Sequence, residues 1–159
     1  CSGEANSVYQ SNVMKGYLED LGYKVEEYTF ADSNDVAFVT QSACDDCDVI
    51  FLPTDNTAAS CTAAIDAIAR PAKTPIVCGE ENMCIGCGLA TLSISYYDLG
   101  KVTGQMAAKV LTGEEDISEM PIQWAAQTTK EYNTEICADL GIEIPDDYTA
   151  IATDEAEQE

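Results

Sequence analysis

The stretch Val49-Ile-Phe-Leu-Pro-Thr-Asp-Asn-Thr-Ala-Ala-Ser60 limits the choice of fold more than any other part of the chain. Val49 to Leu52 is a continuous apolar run of β-forming residues, which predicts a strand buried on both faces. Polar Thr54, Asp55, Asn56 and Thr57 follow at once. Apolar residues then recur at Cys61, Ala64, Ile65 and Ile68, a helical period. The segment therefore predicts strand, tight polar turn, helix, with Asn56 or Thr57 as the N-cap. Such turns lie at the carboxyl edge of a parallel sheet, where open α/β folds bind ligands. Their free N–H groups and the positive helix end suit an anionic group. Simple capping by Asp55, Asn56 and Thr57 is the other reading of the same residues.

The rest of the chain repeats this grammar. Cys1 to Ser7 is small and polar and predicts another strand-to-helix turn, with capping-box spacing at Ser7-Val-Tyr-Gln10. Val13, Met14, Tyr17, Leu18 and Leu21 form one helical face, and Gly22 suits the carboxyl cap. Tyr23 to Phe30 alternates as a strand does, and Asp32-Ser-Asn-Asp35 opens a second helix. After the central unit, Pro75 to Cys78 predicts a short buried strand ending at Gly79-Glu-Glu-Asn82, and Leu89 to Ser95 another. Tyr96-Tyr-Asp98 leads into a helix carrying Leu99, Val102, Met106, Val110 and Leu111. On it Gly100 and Gly104 predict close backbone packing, and Gly113 the end. Met120 to Trp124 is extended, and Ile136 to Leu140 is a short helix stopped by Gly141. This alternation predicts right-handed crossovers and a parallel sheet. The turn at Ser2 to Ser7 calls for a strand ahead of it.

Composition narrows the function classes. The 159 residues suit one domain or part of a larger one, and 29 acidic against 7 basic residues give a formal charge of −22. That charge argues against nucleic acid and anionic lipid surfaces as partners. No apolar run is long enough for a membrane helix, and no signal peptide is present. The sequence does not begin with Met, so the lack of a leader decides nothing about compartment. With no histidine in the chain, His-based triads and His metal sites are excluded.

Two of the chain's cysteine pairs have C-x-x-C spacing, Cys44/Cys47 and Cys84/Cys87, while Cys1, Cys61, Cys78 and Cys137 are scattered. Brought together, the two pairs would make a four-thiolate zinc site. Against this, Cys44-Asp-Asp-Cys47 precedes a strand and carries carboxylates that raise thiol pKa values, and Cys84-Ile-Gly-Cys87 reads as a Gly-rich loop. Structural thiols are the favoured reading, with a zinc or redox protein as the alternative.

Five motifs occur in an order that marks a family. They are Ser2-Gly-Glu-Ala-Asn-Ser7, Pro53-Thr-Asp-Asn-Thr57, Ala90-Thr91 through Tyr96-Tyr97-Asp98-Leu99-Gly100, Thr103-Gly104 with Met106-Ala107-Ala108, and Leu140-Gly-Ile-Glu-Ile-Pro145. Over residues 1 to 148 the sequence resembles the substrate-binding proteins of ABC importers of the TrpX type, linked to uptake of aromatic amino acids. The resemblance implies an α/β fold, a parallel-sheet Rossmann-like lobe of a type I periplasmic-binding protein. There, two lobes close over a small-molecule ligand. It implies further that this chain is a carboxyl-terminal fragment with the first lobe missing. On that reading residues 1–88 belong to the second lobe, 89–120 cross toward the first, 121–148 return, and 149–159 are an acidic tail. A lipidated Cys1 at the start of a mature lipoprotein is the competing reading.

The same resemblance supplies the expected site. Ser2, Glu4, Asn6 and Ser7 match the first ligand-facing turn, Asp55, Asn56 and Thr57 the second, and Glu80 ends the next strand. Helix N-termini with hydroxyl and amide side chains suit an α-carboxylate, and Asp55 or Glu80 suits an α-ammonium. Where the family has an acid two residues before the Tyr97 position, this chain has Ser95. The implied role is a solute receptor without catalysis and without cofactor or bound metal. Its implied partners are an amino-acid-like ligand, an ABC permease and the first lobe, with no nucleic acid. The implied location is the periplasm or cell surface, lipoprotein-anchored at full length. A ligand-sensing module of the same fold in signalling is the second reading.

Overall fold

A computed structural model describes residues 1–151. The helices are α1 (Ala5–Asp20), α2 (Val36–Asp46), α3 (Asn56–Ala59), α4 (Thr62–Ala72), α5 (Glu81–Cys87), α6 (Tyr96–Thr112) and α7 (Thr134–Leu140). The strands are β1 (Ile50–Leu52), β2 (Ile76–Cys78), β3 (Ala90–Ile94), β4 (Thr128–Tyr132) and β5 (Thr149–Ala150). They form one sheet in the order β1-β2-β3-β4-β5. β1, β2 and β3 pair in parallel, with Ile50 opposite Ile76 and Val77 opposite Ala90. β4 runs antiparallel to β3, and β5 parallel to β4. The sheet is thus mostly parallel, as the alternation of strands and helices requires.

Apolar side chains from both sides of β1 and β2 make the main core, where Val36, Leu52, Ile65, Ile76, Met83 and Cys84 are buried. A smaller cluster joins Leu89 and Ala90 to Ile136 and Cys137. Arg70, in the last turn of α4, ties the two regions by pairing with Asp66 (2.9 Å), Glu135 (2.7 Å) and Asp139 (3.0 Å). Gly22, Gly113 and Gly141 follow α1, α6 and α7 with φ of 87°, 74° and 69°, the left-handed conformation that stops a helix at little cost.

Several expectations are corrected. Cys84-Ile-Gly-Cys87 is helical, not a loop. A Cβ on Gly86 would lie 2.5 Å from the Thr62 hydroxyl, so this glycine permits a tight crossing of α5 over α4. A Cβ on Gly100 or Gly104 would meet nothing within 4 Å beyond its own helix, and α6 has no buried residue. Tyr23 to Phe30 is extended but joins no strand ladder. Val49, expected to be buried, is 54% exposed, because β1 is an edge strand with β2 on one side only. Ala90–Ile94 form β3 in the same sheet as β1 and β2. Thr149–Ala150 form β5, and residues 152–159 of the expected acidic tail lie outside the described residues.

Met83 is fully buried, and its truncation to Ala should cost about 2–5 kcal/mol of stability. Leu111 is 87% exposed on α6, and Leu111→Ala should stay within about 0.5 kcal/mol. Urea unfolding of the two variants measures the contrast.

Candidate functional site

Parallel pairing of β1, β2 and β3 sends their carboxyl ends to one edge of the sheet. The turns there lead into α3, α5 and α6, and the turn before α1 joins them through direct hydrogen bonds. Asp55 makes the central connection. One carboxylate oxygen accepts from the Ser2 N–H at 2.6 Å and the other from the Ala58 N–H at 3.0 Å, so the same side chain joins the first turn to the second and caps α3. The N-cap of α3 is therefore Asp55, one position before the expected Asn56 and two before Thr57.

Glu4 makes the matching connection from the other side. Its carboxylate accepts from the Asn56 N–H (3.1 Å) and amide (2.7 Å), and from the Thr57 N–H (3.2 Å) and hydroxyl (3.3 Å). The helix end that suits an anion is thus occupied by the protein's own carboxylate. Asn6 donates to the Thr54 carbonyl at 2.7 Å, and Gln10 accepts from the Thr54 N–H at 2.6 Å. The expected capping box at Ser7 is not formed, since α1 starts at Ala5 and Gln10 serves the neighbouring turn.

The third turn is built the same way. Glu80 accepts from the Asn82 N–H (3.0 Å) and the Met83 N–H (2.5 Å), capping α5. The Thr54 hydroxyl donates to the Gly79 carbonyl at 3.2 Å, and the Glu81 N–H donates to the Ser93 hydroxyl at 3.2 Å. A Cβ on Gly79 would stand 2.5 Å from the Thr54 nitrogen, so the second and third turns approach this closely only with glycine there. Ser95 caps α6 by accepting from the Asp98 N–H at 3.1 Å.

All eight expected residues come together at this edge, in two layers. Ser2, Ser7, Asp55 and Glu80 are buried and hold the turns in place; Asn6 and Asn56 are exposed, and Glu4 and Thr57 are half-buried. Sequence reasoning missed Gln10, Thr54, Gly79 and Ser93 as the residues that lace the turns. A glycine directly after a buried strand was the one available sign of the close approach at Gly79. The two C-x-x-C pairs stay apart. Cys44 and Cys47 end α2, Cys84 and Cys87 are buried in the core, and no group of three or more potential ligands among the described residues is placed to hold a metal ion. Burial pushes the Cys84 thiol up to about 12, which suits an inert core residue rather than a redox thiol.

Charge at this edge is controlled by hydrogen bonds. Burial pushes Asp55 up, but the nearby Ser7 hydroxyl and the Ala58 and Ser2 amides outweigh it and hold the carboxyl below its usual range. The Asn56 backbone amide, with the Asn56 side chain and the Thr57 amide, does the same for Glu4. A carboxyl depressed in the folded state stabilises fully above its unfolded pKa, and that contribution is lost as pH falls through the folded value. Asp55→Asn should lower stability at neutral pH by about 1–2 kcal/mol and flatten the loss below about pH 4, read from urea midpoints across pH. Gly79→Ala should cost about 1–3 kcal/mol in the same assay.

A family model described as ABC transporter substrate binding protein matches residues 1–156. The chain is 29% identical over 127 residues to the tyrosine-binding protein of Clostridioides difficile, covering 80% of this chain and 36% of that protein. It resembles the structure of an ABC domain in complex with L-Trp from Streptococcus pneumonia with a TM-score of 0.80 and 31% identity, over 90% of this chain and 48% of that one. It also resembles the ligand-free, open structure of a substrate-binding protein with adhesive properties from Clostridium difficile, with a TM-score of 0.73 and 34% identity, over 95% of this chain and 52% of that one. The chain spans about half the length of these solved relatives, and its mostly parallel α/β sheet agrees with the match: it belongs to the ABC transporter substrate-binding protein family.

Proposed function

We propose that this chain forms one lobe of a two-lobed receptor that binds an amino acid and delivers it to an ABC importer. The observation that carries the reading is the laced carboxyl edge, where the turns before α1, α3 and α5 converge and the acids Glu4, Asp55 and Glu80 are anchored by backbone amides. Such anchoring preorganises polar groups before any ligand arrives, which reduces the entropy lost on binding. Similarity to proteins whose names record tyrosine and L-Trp supports an amino acid as cargo, and an aromatic one in particular.

In this reading the exposed layer touches the ligand. Glu4, held ionised, receives the α-ammonium, and the second N–H of each of the Asn6 and Asn56 side-chain amides takes the α-carboxylate, while the Thr57 hydroxyl steadies Glu4. Ser2, Ser7, Asp55 and Glu80 position those groups from beneath. Ser95, at the start of α6, leaves the ligand's amino group without the acid that the resemblance expects there, so Glu4 carries that charge. A second lobe supplies the remaining contacts, and ligand touching both lobes favours the closed form. The closed receptor then docks on a membrane permease at the outer face of the cell, in the periplasm or on a lipid-anchored chain. The protein itself catalyses nothing. Among the described residues no helix is long and apolar enough to cross a membrane.

Calorimetric titration of the two-lobed protein with L-tyrosine, L-tryptophan and L-phenylalanine tests this. Saturable binding of at least one is expected, weakened about tenfold or more (about 1.4 kcal/mol) by Glu4→Gln and by Asn56→Ala. Binding unaffected by either change would place the ligand elsewhere, and no binding by folded, ligand-free protein would remove the aromatic assignment.

A further inference from the structure

Three cysteine thiols gather beneath the turn that joins β2 to α5. Cys78 ends β2, Cys84 and Cys87 lie on α5, and their exposures are 2%, 0% and 3%. All three belong to the main core. A Cβ on Gly88, the residue after α5, would stand 2.5 Å from the Cys78 sulfur and 3.3 Å from the Cys84 sulfur, so both sulfurs flank that glycine. The Cys78 thiol is also in hydrogen-bond contact with the Cys87 thiol. Helix α5 is held at both ends. The Glu80 carboxylate caps its start, and the Asn133 side-chain amide donates to the Cys84 and Ile85 carbonyls at 3.2 and 3.1 Å.

Within this group the contacts single out one pair. The Cys84 thiol donates to the Gly88 carbonyl at 3.4 Å, inside the turn that ends α5. The Cys137 thiol belongs to the smaller cluster and donates to the Leu89 carbonyl at 3.8 Å. Cys87 is the one that meets Cys78. Between these two in the chain lie Gly79, Glu80, Glu81 and Asn82, the third turn of the candidate site. The Cys78–Cys87 pair thus brackets a turn already pressed against Thr54 through Gly79.

We propose that Cys78 and Cys87 form a disulfide when the chain folds beside a small-molecule disulfide, closing residues 78–87 into a ring that carries the Gly79–Asn82 turn. In the first exchange the thiolate of one cysteine attacks the small disulfide, forming a mixed disulfide and expelling one small thiolate. In the second, the thiolate of the other cysteine displaces the remaining small thiolate. The two cysteines give up two electrons and two protons, and the small disulfide becomes two thiols. Timing follows from the packing. The Cys87 contact and burial push the folded Cys78 thiol well above its ordinary range, so the exchange belongs to folding, before the pair is enclosed. Once formed, the bond pins the end of β2 to the end of α5 and suppresses openings of the turn between them. Its formation does not depend on the amino-acid reading.

The test refolds the full chain from urea in oxidised and reduced glutathione, blocks the remaining thiols in denaturant, and cleaves with trypsin and cyanogen bromide. Cleavage after Lys73 and Met83 isolates Cys78 from every other cysteine, so tandem mass spectrometry reads its partner directly. The expected product joins that fragment to the one beginning at Cys84, through Cys87, with Cys84 alkylated. Cys84→Ala should keep the bond and Cys87→Ala lose it. Amide exchange across Gly79–Asn82 should be about tenfold or more slower in the bridged chain than in the reduced one. Cys78 found alkylated in chain that has refolded, or joined to any cysteine other than Cys87, overturns the proposal. So does a bridged chain whose Gly79–Asn82 amides exchange as fast as those of the reduced chain.

Discussion

The carboxylate of Asp55, 1% exposed and shared between the amides of Ser2 and Ala58, is the interaction on which the rest of the edge depends. A buried charge is tolerable only when its oxygens are occupied by good donors, and here both are. That single group decides where α3 begins, where the chain around Cys1 meets the sheet, and how close Glu4 comes to Asn56 and Thr57. Glu80 repeats the solution at α5, and Thr54 with Gly79 welds the two turns together. The exposed amides and hydroxyls are held in place by this buried layer, which is the preorganisation that the proposed ligand-binding role requires.

Much of this was legible in the residues. The strand-turn-helix grammar around Val49 to Ser60, the glycine stops after α1, α6 and α7, and the clustering of the turns at one edge all follow from apolar period and turn chemistry. The division of labour among the polar residues was not legible. Nothing in the sequence separates Asp55, which is buried and fully bonded, from Asn56, which is exposed, because both are ordinary cap residues and the difference lies in which turn packs above them. Gly86 looked like a loop residue and proved to be a helix-crossing contact with Thr62. Local sequence carries the glycine but not the neighbour that demands it.

Other misreadings share one cause. Tyr23 to Phe30 has the alternation of a strand and Val49 the composition of a buried one, yet both lie outside the strands of the sheet. Gly100 and Gly104 are placed for close packing and have nothing against them, and α6 buries none of its residues. In each case the pattern describes a partner surface, and a β-pattern or a small-residue stripe does not by itself supply one. The chain spans about half the length of its solved relatives, 52% and 48% of the two compared.

The central claim is that the exposed layer of the laced turns meets the ligand, and amide chemical shifts test it most directly because they register even weak binding residue by residue. Titration of the isotope-labelled chain with L-tyrosine and L-tryptophan should move the amides of Gly3 to Asn6, Thr54 to Thr57 and Gly79 to Asn82, leaving β4 and α7 unmoved. Shifts concentrated instead along α6 and Trp124, or none at millimolar ligand, would contradict the account.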